Sequence, residues 1–508
     1  MFQKVKQWIG FNPAKWVRGT FLMRRRISKW LLNNRIKANG DRVGVVISPW
    51  LGTSIPWYSI AIGLMLSKAG SRVTFFVDDN MFGNNQLRFR FVLGCIGFAM
   101  KPLRKDFAVS GLSLLSDVEP IANQARESLR RLAKLNATWE LRGEMEGDGR
   151  DGFEARCEFQ FVKAFPTIKK AVNSAPFDLL FIPGGVWGTS GIWSMLAREA
   201  GIRIGSYDAG GYRTAMLAGN GIACQLQDIP FAYREIQQNQ DAESWAFAKK
   251  EAQAEMTRRK SGVDAFESQI KGGGGGDARY DHAIMLALNS SWDSAALGLH
   301  AVFQDNTDWI IQTVRFLLEQ TEATVIVRQH PAERLEIGKT TDDYRTLLTS
   351  HFGDHPRLHF IAAGDKINSY ELLSRIRALV VYTSTIGIEA AANGLPVITS
   401  SNSYYSDLGF VYKARNLETY QSLLRQACTG ELQVTDESKV NALVAYYLTQ
   451  CCNWIFTDFN PSDFHLWIRH SIDYWSEDES GRIIVEVLRE GIPVATINHR
   501  IKLLESNS

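Results

Sequence analysis

Between Val325 and Phe410 the chain repeats one pattern: a short apolar run, a few polar or small residues, then apolar positions at helical spacing. ATVIVRQHP, RLHFIAAG, ALVVYTST and LPVITS each read as a buried strand of this kind, and HAIMLALN at 282–289 opens the series. Runs of four to eight apolar residues bounded by turn residues are the mark of strands buried on both faces, as in a parallel sheet. The first half repeats the theme. VGVVIS (43–48) is followed by a helix ending near Ala69 and Gly70, then RVTFFVDD (72–79), FDLLFIPGG (177–185) and IRIGSYDAGG (202–211). Strands alternating with helices predict an α/β protein with two Rossmann-like halves. Residues 105–175 read as a mostly helical insertion, 234–271 as a charged helix without a strong apolar stripe, and the tail as helical with a short hairpin over 482–501.

In parallel sheets the loops after the strands' carboxyl ends form the ligand crevice. Arg328, His330, Thr383, Ser384 and Thr385 fall in such loops, and Glu389 follows one helical turn after Thr385. A cation, an imidazole and several hydroxyls at helix starts suit a phosphorylated ligand. Hydroxyls also cap helices in any protein, Glu389 is equally placed for capping, and Arg328 could pair with Glu333 on the surface. Asn289 and Asp293 flank the first loop of the second half, and Lys366 and Asn368 precede a helix near Ser369. In the first half Ser54 stands at a helix entrance and Asp79 at a strand end, both candidate acceptor contacts. Asp208 precedes Gly210 and Gly211, and this placement aims its carboxylate at the cleft between the halves, with Asp79 the rival acid.

The HP pair at 330–331, the STIGIEA helix start at 384–390 and the GLPV strand at 394–397 resemble the bacterial capsule polysaccharide biosynthesis family. SYDAGGYRTAMLAGNG (206–221) is similar to the family's acidic, glycine-containing segment, LALNSSWDSAALG (286–298) to its nucleotide-facing loop, and SYYSDLGF (403–410) to its aromatic, glycine-rich stretch. The resemblance covers roughly residues 175–415 and implies a two-domain GT-B glycosyltransferase. It further implies a nucleotide-sugar donor such as CMP-Kdo, no cofactor or metal, and Asp208 as the catalytic carboxylate. Asn289, Asp293, Arg328, His330, Thr383, Ser384, Thr385 and Glu389 become donor-site candidates. The chain has Tyr207-Asp208-Ala209-Gly210, a single carboxylate where the family carries an acidic pair. Two alternatives therefore stay open: a transferase using a UDP- or GDP-sugar or a CDP-polyol, and a non-catalytic export or scaffold protein of the same fold.

Composition narrows the setting. With 508 residues the chain exceeds one ordinary core, and 45% apolar with 22% charged residues is usual for a folded enzyme. The expected division is a basic amphipathic segment (1–40), a first Rossmann-like acceptor domain (41–271), a glycine-rich linker (272–280), a nucleotide-sugar domain (281–460) and a helical crossover and tail (461–508), with 460–475 the candidate crossing helix. A net charge of +3 gives no sign of nucleic-acid binding. Residues 1–40, however, hold ten Lys or Arg and no acid, interleaved with Trp8, Phe11, Trp16, Phe21 and Trp30. That composition fits an element on anionic lipid, and equally a basic helix packed on the protein's own body. No run of eighteen apolar residues and no secretory leader is found, and six cysteines without CxxC spacing read as reduced thiols and not as a zinc site. The expectation is a cytoplasmic enzyme, peripheral on the inner membrane face, acting on a lipid-linked or glycan acceptor.

Overall fold

A computed structural model describes residues 13–34, 36, 40–50, 54–115, 120–145, 147, 149–210, 213–239, 242–260, 277–292, 297–336, 338–459 and 469–506. The glycines at 272–276, Asp293 and most of the proposed crossing helix at 460–475 lie outside these residues. The chain divides into two compact units. The first comprises Met1–Ala133, Glu154–Asp228 and Asn453–Ile501; the second comprises Lys134–Phe153, Ile229–Cys452 and Lys502–Ser508. These limits differ from the division drawn from sequence. The helices Ile229–Asn239 and Ala242–Lys260 go with the second unit, and the chain returns to the first at Asn453.

In the first unit the strands are β1 (Arg42–Ile47), β2 (Arg72–Val77), β3 (Ala108–Gly111), β4 (Leu179–Phe181), β5 (Arg203–Ala209) and β6 (Thr214–Ala218). The second unit holds β7 (Ile284–Ala287), β8 (Val325–Arg328), β9 (Leu358–Ile361), β10 (Ala378–Val381), β11 (Val397–Thr399) and β12 (Tyr412–Lys413), after which β13 (Ile455–Phe456) rejoins the first sheet. The two sheets run β13-β6-β5-β4-β1-β2-β3 and β12-β11-β10-β7-β8-β9. In each, the first strand is central and the order reverses beside it, the doubly wound plan that the alternating pattern predicts. The second sheet is parallel throughout. Its strands β7, β8 and β10 are buried at every position, which is why they read as unbroken apolar runs.

Three predictions change. β3 falls at the start of the stretch read as helical, and β6 pairs antiparallel with β5. The expected hairpin over 482–501 is instead two helices, Glu479–Glu490 and Val494–Ser506. The first buries Ile484, Val487 and Leu488 at helical spacing, and Gly491 (φ +71°) ends it in a left-handed cap open to glycine at little cost. The basic N-terminal stretch contains a helix, Pro13–Asn33, packed on the protein's own body, one of the two readings its composition left open. Trp16, Met23, Ile27 and Trp30 lie on one side of it and are buried in the first unit's core.

Candidate functional site

The described residues of the second unit enclose a cavity of about 210 Å³ at the carboxyl ends of β7, β8 and β10. Here the strand order reverses between β7 and β10, and loops from both sides of that reversal line the space. Asn289, Arg328, His330, Thr383, Ser384, Thr385 and Glu389 all line it. Seven of the eight donor-site candidates are thus brought together; the eighth, Asp293, lies outside the described residues.

Each has a distinct setting. Arg328 ends β8 nearly buried, donating from Nη1 to the Ala362 carbonyl (2.5 Å), from Nη2 to that of Ile367 (3.2 Å) and from Nε to Ser369 Oγ (3.3 Å). It clamps the 362–369 loop and makes no pair with Glu333, whose Oε2 accepts from Gln329 Nε2 (2.7 Å). Burial lowers the Arg328 pKa to about 10, so it stays charged at neutral pH. His330 caps the turn Pro331–Arg334, its Nδ1 accepting from the Ala332 amide at 3.2 Å. An accepting Nδ1 places the ring proton on Nε2, a donor. Burial, with Arg328 and Arg259 nearby, lowers its pKa to about 4, so the ring is neutral at pH 7.

Asn289 Oδ1 accepts from the Thr383 amide (3.2 Å), tying the loop after β7 to the loop after β10. The Thr383 hydroxyl is buried without a hydrogen-bond partner among the described residues. Such a group costs about 1–3 kcal/mol unless water or a ligand meets it. Thr385 occupies the cap position of the helix Ile386–Ala392 but its side chain makes no cap bond, and the Ser384 carbonyl accepts from Tyr405 Oη (2.9 Å). Gly387 lets this helix lie close against the sheet, because a Cβ there would come within 3.1 Å of Val381 and 2.9 Å of Tyr405 Oη.

Glu389 is buried, and burial raises its pKa, opposed by Arg259. Arg259 Nη1 stands 3.7 Å from Glu389 Oε1 and donates to Gln450 Oε1 at 3.1 Å. Arg259 and Tyr370 line the cavity too and were missed from the sequence. The signal for Arg259 was present: Ser244, Ala248, Ala252 and Met256 recur every fourth residue as the buried face of its helix. Three of the four are small, so the periodicity carries little hydropathy.

In the first unit Asp208 does not stand in a loop after its strand. It is inside β5, opposite Met216 of β6, because the antiparallel partner extends the ladder to Ala209. Its Oδ1 accepts from the Ala209 amide (2.8 Å), and it sits close enough to buried Tyr58 to help raise that phenol's pKa, after burial itself. Asp79 holds the turn after β3, accepting from the Ser113 amide (2.8 Å) and hydroxyl (2.5 Å). Ser54 is buried at the start of the helix Ile55–Lys68 without a side-chain cap bond. Among the described residues no group of His, Cys, Asp and Glu is arranged to hold a metal ion, and no helix is long and apolar enough to cross a membrane.

Two doubly wound α/β units, the second gathering cations and hydroxyls at its switch point, place the protein in the α/β class with a candidate ligand crevice in its second unit. Residues 278–436 match the family model described as capsule polysaccharide biosynthesis protein, and the resemblance carried by the motifs holds over that segment. No curated protein sequence matches the chain. Solved structures similar to it include a β-Kdo 2,4 transferase, KpsC of Thermosulfurimonas dismutans, at 16% identity over 58% of this chain and 87% of that one, TM-score 0.37. KpsC β-Kdo 2,7 transferase of the same organism is similar at 14% identity over 64% and 87%, TM-score 0.31. S. aureus MnaA with UDP is similar at 11% identity over 89% and 97%, TM-score 0.25. Likeness at this level decides neither donor nor acceptor.

Proposed function

We propose that the chain is a glycosyltransferase of bacterial surface-polysaccharide assembly that takes a nucleotide-activated sugar in the second unit's cavity. The observation that carries this reading is the convergence of Arg259, Arg328 and neutral His330 with the partnerless Thr383 hydroxyl around one space. Two guanidinium groups favour an anionic ligand, and His330 Nε2–H and the hydroxyls supply neutral donors to its oxygens. When the acceptor oxygen attacks the anomeric carbon, the bond to the nucleotide phosphate breaks and charge collects on the leaving oxygen. Arg259 and Arg328 are assigned to stabilise that charge without a metal, and Asp208 to take the acceptor proton or to act as nucleophile.

The donor we favour is a CMP-activated ulosonic acid such as Kdo, as the resemblance of the motifs implies; the family match over 278–436 supports capsule polysaccharide biosynthesis. The acceptor is assigned as a lipid-linked or glycan chain on the cytoplasmic side. Thermal shift with CMP, CDP, UDP and GDP tests the reading. A ligand at a hundred times its Kd stabilises by about 2.7 kcal/mol, which such an assay resolves. CMP should give the largest shift, and transfer from CMP-Kdo should survive a chelator. A response to UDP or GDP alone would move the donor, and no response to any of the four would favour the non-catalytic alternative.

A further inference from the structure

The helix Pro13–Asn33 buries Trp16 and Trp30, two of the aromatic residues that made the N-terminal segment look like a lipid anchor. Its other side is a different surface. Phe21 is 60% exposed and its ring packs edge-on against Phe98 (centroids 5.4 Å), itself 42% exposed on the helix Gln86–Met100. On that second helix Leu87 (81% exposed), Phe91 and Phe98 recur at i, i+4 and i+11, a stripe turned outward while Phe89, Val92 and Ile96 are buried. Two adjoining helices therefore each bury one apolar face and display another. Contiguous exposed apolar surface of this kind marks an interaction site.

Charge selects the partner. The stretches 13–33 and 86–105 together contain Arg18, Arg24, Arg25, Arg90 and Lys101 among other cations, and not one Asp or Glu. Arg24 lies over the Phe98 ring (4.4 Å) and donates to the Phe98 carbonyl at 2.7 Å, so a cation is fixed within the apolar patch. Asp473 meets this region at Asn34, accepting from its side chain at 2.8 Å. That is thirteen residues beyond Phe21, roughly 20 Å along a helix. Apolar side chains that can enter the acyl boundary, on two helices that carry cations and no acid, are complementary to an anionic bilayer surface. A protein groove of matching shape would need a large acidic, apolar-lined partner, whereas a bilayer needs only the composition present here.

We infer that Phe21, Phe98 and Leu87, with the surrounding arginines, form a preorganised face that docks the first unit on anionic lipid. This inference is independent of the donor-site reading, because vesicle binding is read without substrate. Deleting residues 1–40 is the wrong test, since it would strip Trp16, Met23, Ile27 and Trp30 from the core. The test is flotation of the full chain with phosphatidylcholine vesicles, with and without one third phosphatidylglycerol. Wild type should bind the anionic vesicles at least tenfold better than the neutral ones and should be released by 0.5 M salt (about a 4 Å screening length). Phe21→Ser with Phe98→Ser, and separately Arg18→Glu with Arg25→Glu, should each weaken anionic binding about tenfold or more. Both pairs should keep the wild-type melting midpoint and circular dichroism spectrum, which certifies the fold. Undiminished vesicle binding in both pairs, or none in wild type, would overturn the inference. So would self-association of wild type that the phenylalanine pair abolishes, because the face would then belong to a second copy.

Discussion

Arg259 Nη1 lies 3.7 Å from Glu389 Oε1, joining the last turn of the helix Ala242–Lys260 to the helix Ile386–Ala392 within the second unit. The Arg259 side chain is 16% exposed and that of Glu389 5%, so neither charge is well solvated. The two helices are also linked through Asp436–Tyr447, which packs against both. The pair is therefore both a structural joint and the source of a cation at the cavity wall.

Removing one partner of such a pair leaves the other charge buried, which costs about 3–5 kcal/mol when solvent is excluded. Arg259→Met should lower stability by about 2–3 kcal/mol, the smaller figure reflecting Arg259's remaining contact with water. Glu389→Gln should be milder, since the Arg259 charge it leaves keeps some contact with water and its hydrogen bond to Gln450 Oε1. Combining the two should recover at least about 1 kcal/mol relative to additivity. Urea unfolding of the four proteins checks this; strict additivity would mean that the residues do not interact.

Glu333 makes a second prediction, about pH. Burial, then the nearby Asp342 charge, pushes its carboxyl up to about 8, against the hydrogen bond from Gln329 that favours the ionised form. An unfolded glutamate ionises near 4.3, so between there and pH 8 the folded state holds the extra proton. Stability from this group is present at low pH and is lost as pH rises towards 8. His300 and His330, both lowered to about 4 by burial, act oppositely and cost stability as pH falls below about 6.5. Glu333→Gln should match the parent near pH 5 and exceed it increasingly up to pH 8. Melting midpoints across that range decide the matter, and parallel curves for the two proteins would refute the shift.

The third prediction concerns the ligand. His330→Ala and Ser384→Ala should each weaken CMP binding about tenfold or more, the loss of one hydrogen bond to a charged group, roughly 1.5–3 kcal/mol. His330→Ala should also cost about 1 kcal/mol of stability, because Nδ1 caps the turn at Ala332. With its pKa near 4, the imidazole stays neutral, so its contribution to affinity should be flat between pH 5.5 and 8. Calorimetric titration at three pH values tests both points. Unchanged affinity in both variants would remove the basis for the site.

How much of this could be read from the residues depends on which force fixes each element. The strands β7, β8 and β10 are unbroken apolar runs because both faces are buried, and their loops could be placed to within a residue or two. The residues that those loops carry, from Asn289 to Glu389, could be named for the same reason. Arg259 could not, because its helix buries Ser244, Ala248 and Ala252, and small residues pack closely without raising hydropathy. β6 was missed because GYRTAMLA offers no clear alternation, and its pairing with β5 is a tertiary choice. That pairing is also what draws Asp208 inside a strand. Whether Trp16 and Trp30 face lipid or the protein's own core stayed open in the sequence, because an amphipathic stripe does not say which of the two covers it.

Asp208 bears the last prediction. As proposed catalytic carboxylate it has a defined setting: within β5, accepting from the Ala209 amide, with Tyr58 near it and the Tyr58 hydroxyl donating to the Tyr207 carbonyl at 3.0 Å. The strand holds its backbone firmly, which favours an oriented side chain over a mobile one. Asp208→Asn preserves size and an accepting oxygen but removes the basic or nucleophilic one. Turnover should therefore fall at least about a hundredfold while donor affinity persists. Asp79→Asn should behave differently. Its two oxygens serve the Ser113 amide and hydroxyl, so it should lose about 1 kcal/mol of stability and keep most of its activity. Transfer from radiolabelled CMP-Kdo to cell-envelope acceptor extracts, run on both variants with unfolding curves alongside, separates the roles. Full activity in Asp208→Asn would end its assignment, and loss of turnover in a well-folded Asp79→Asn would move the chemistry to the end of β2.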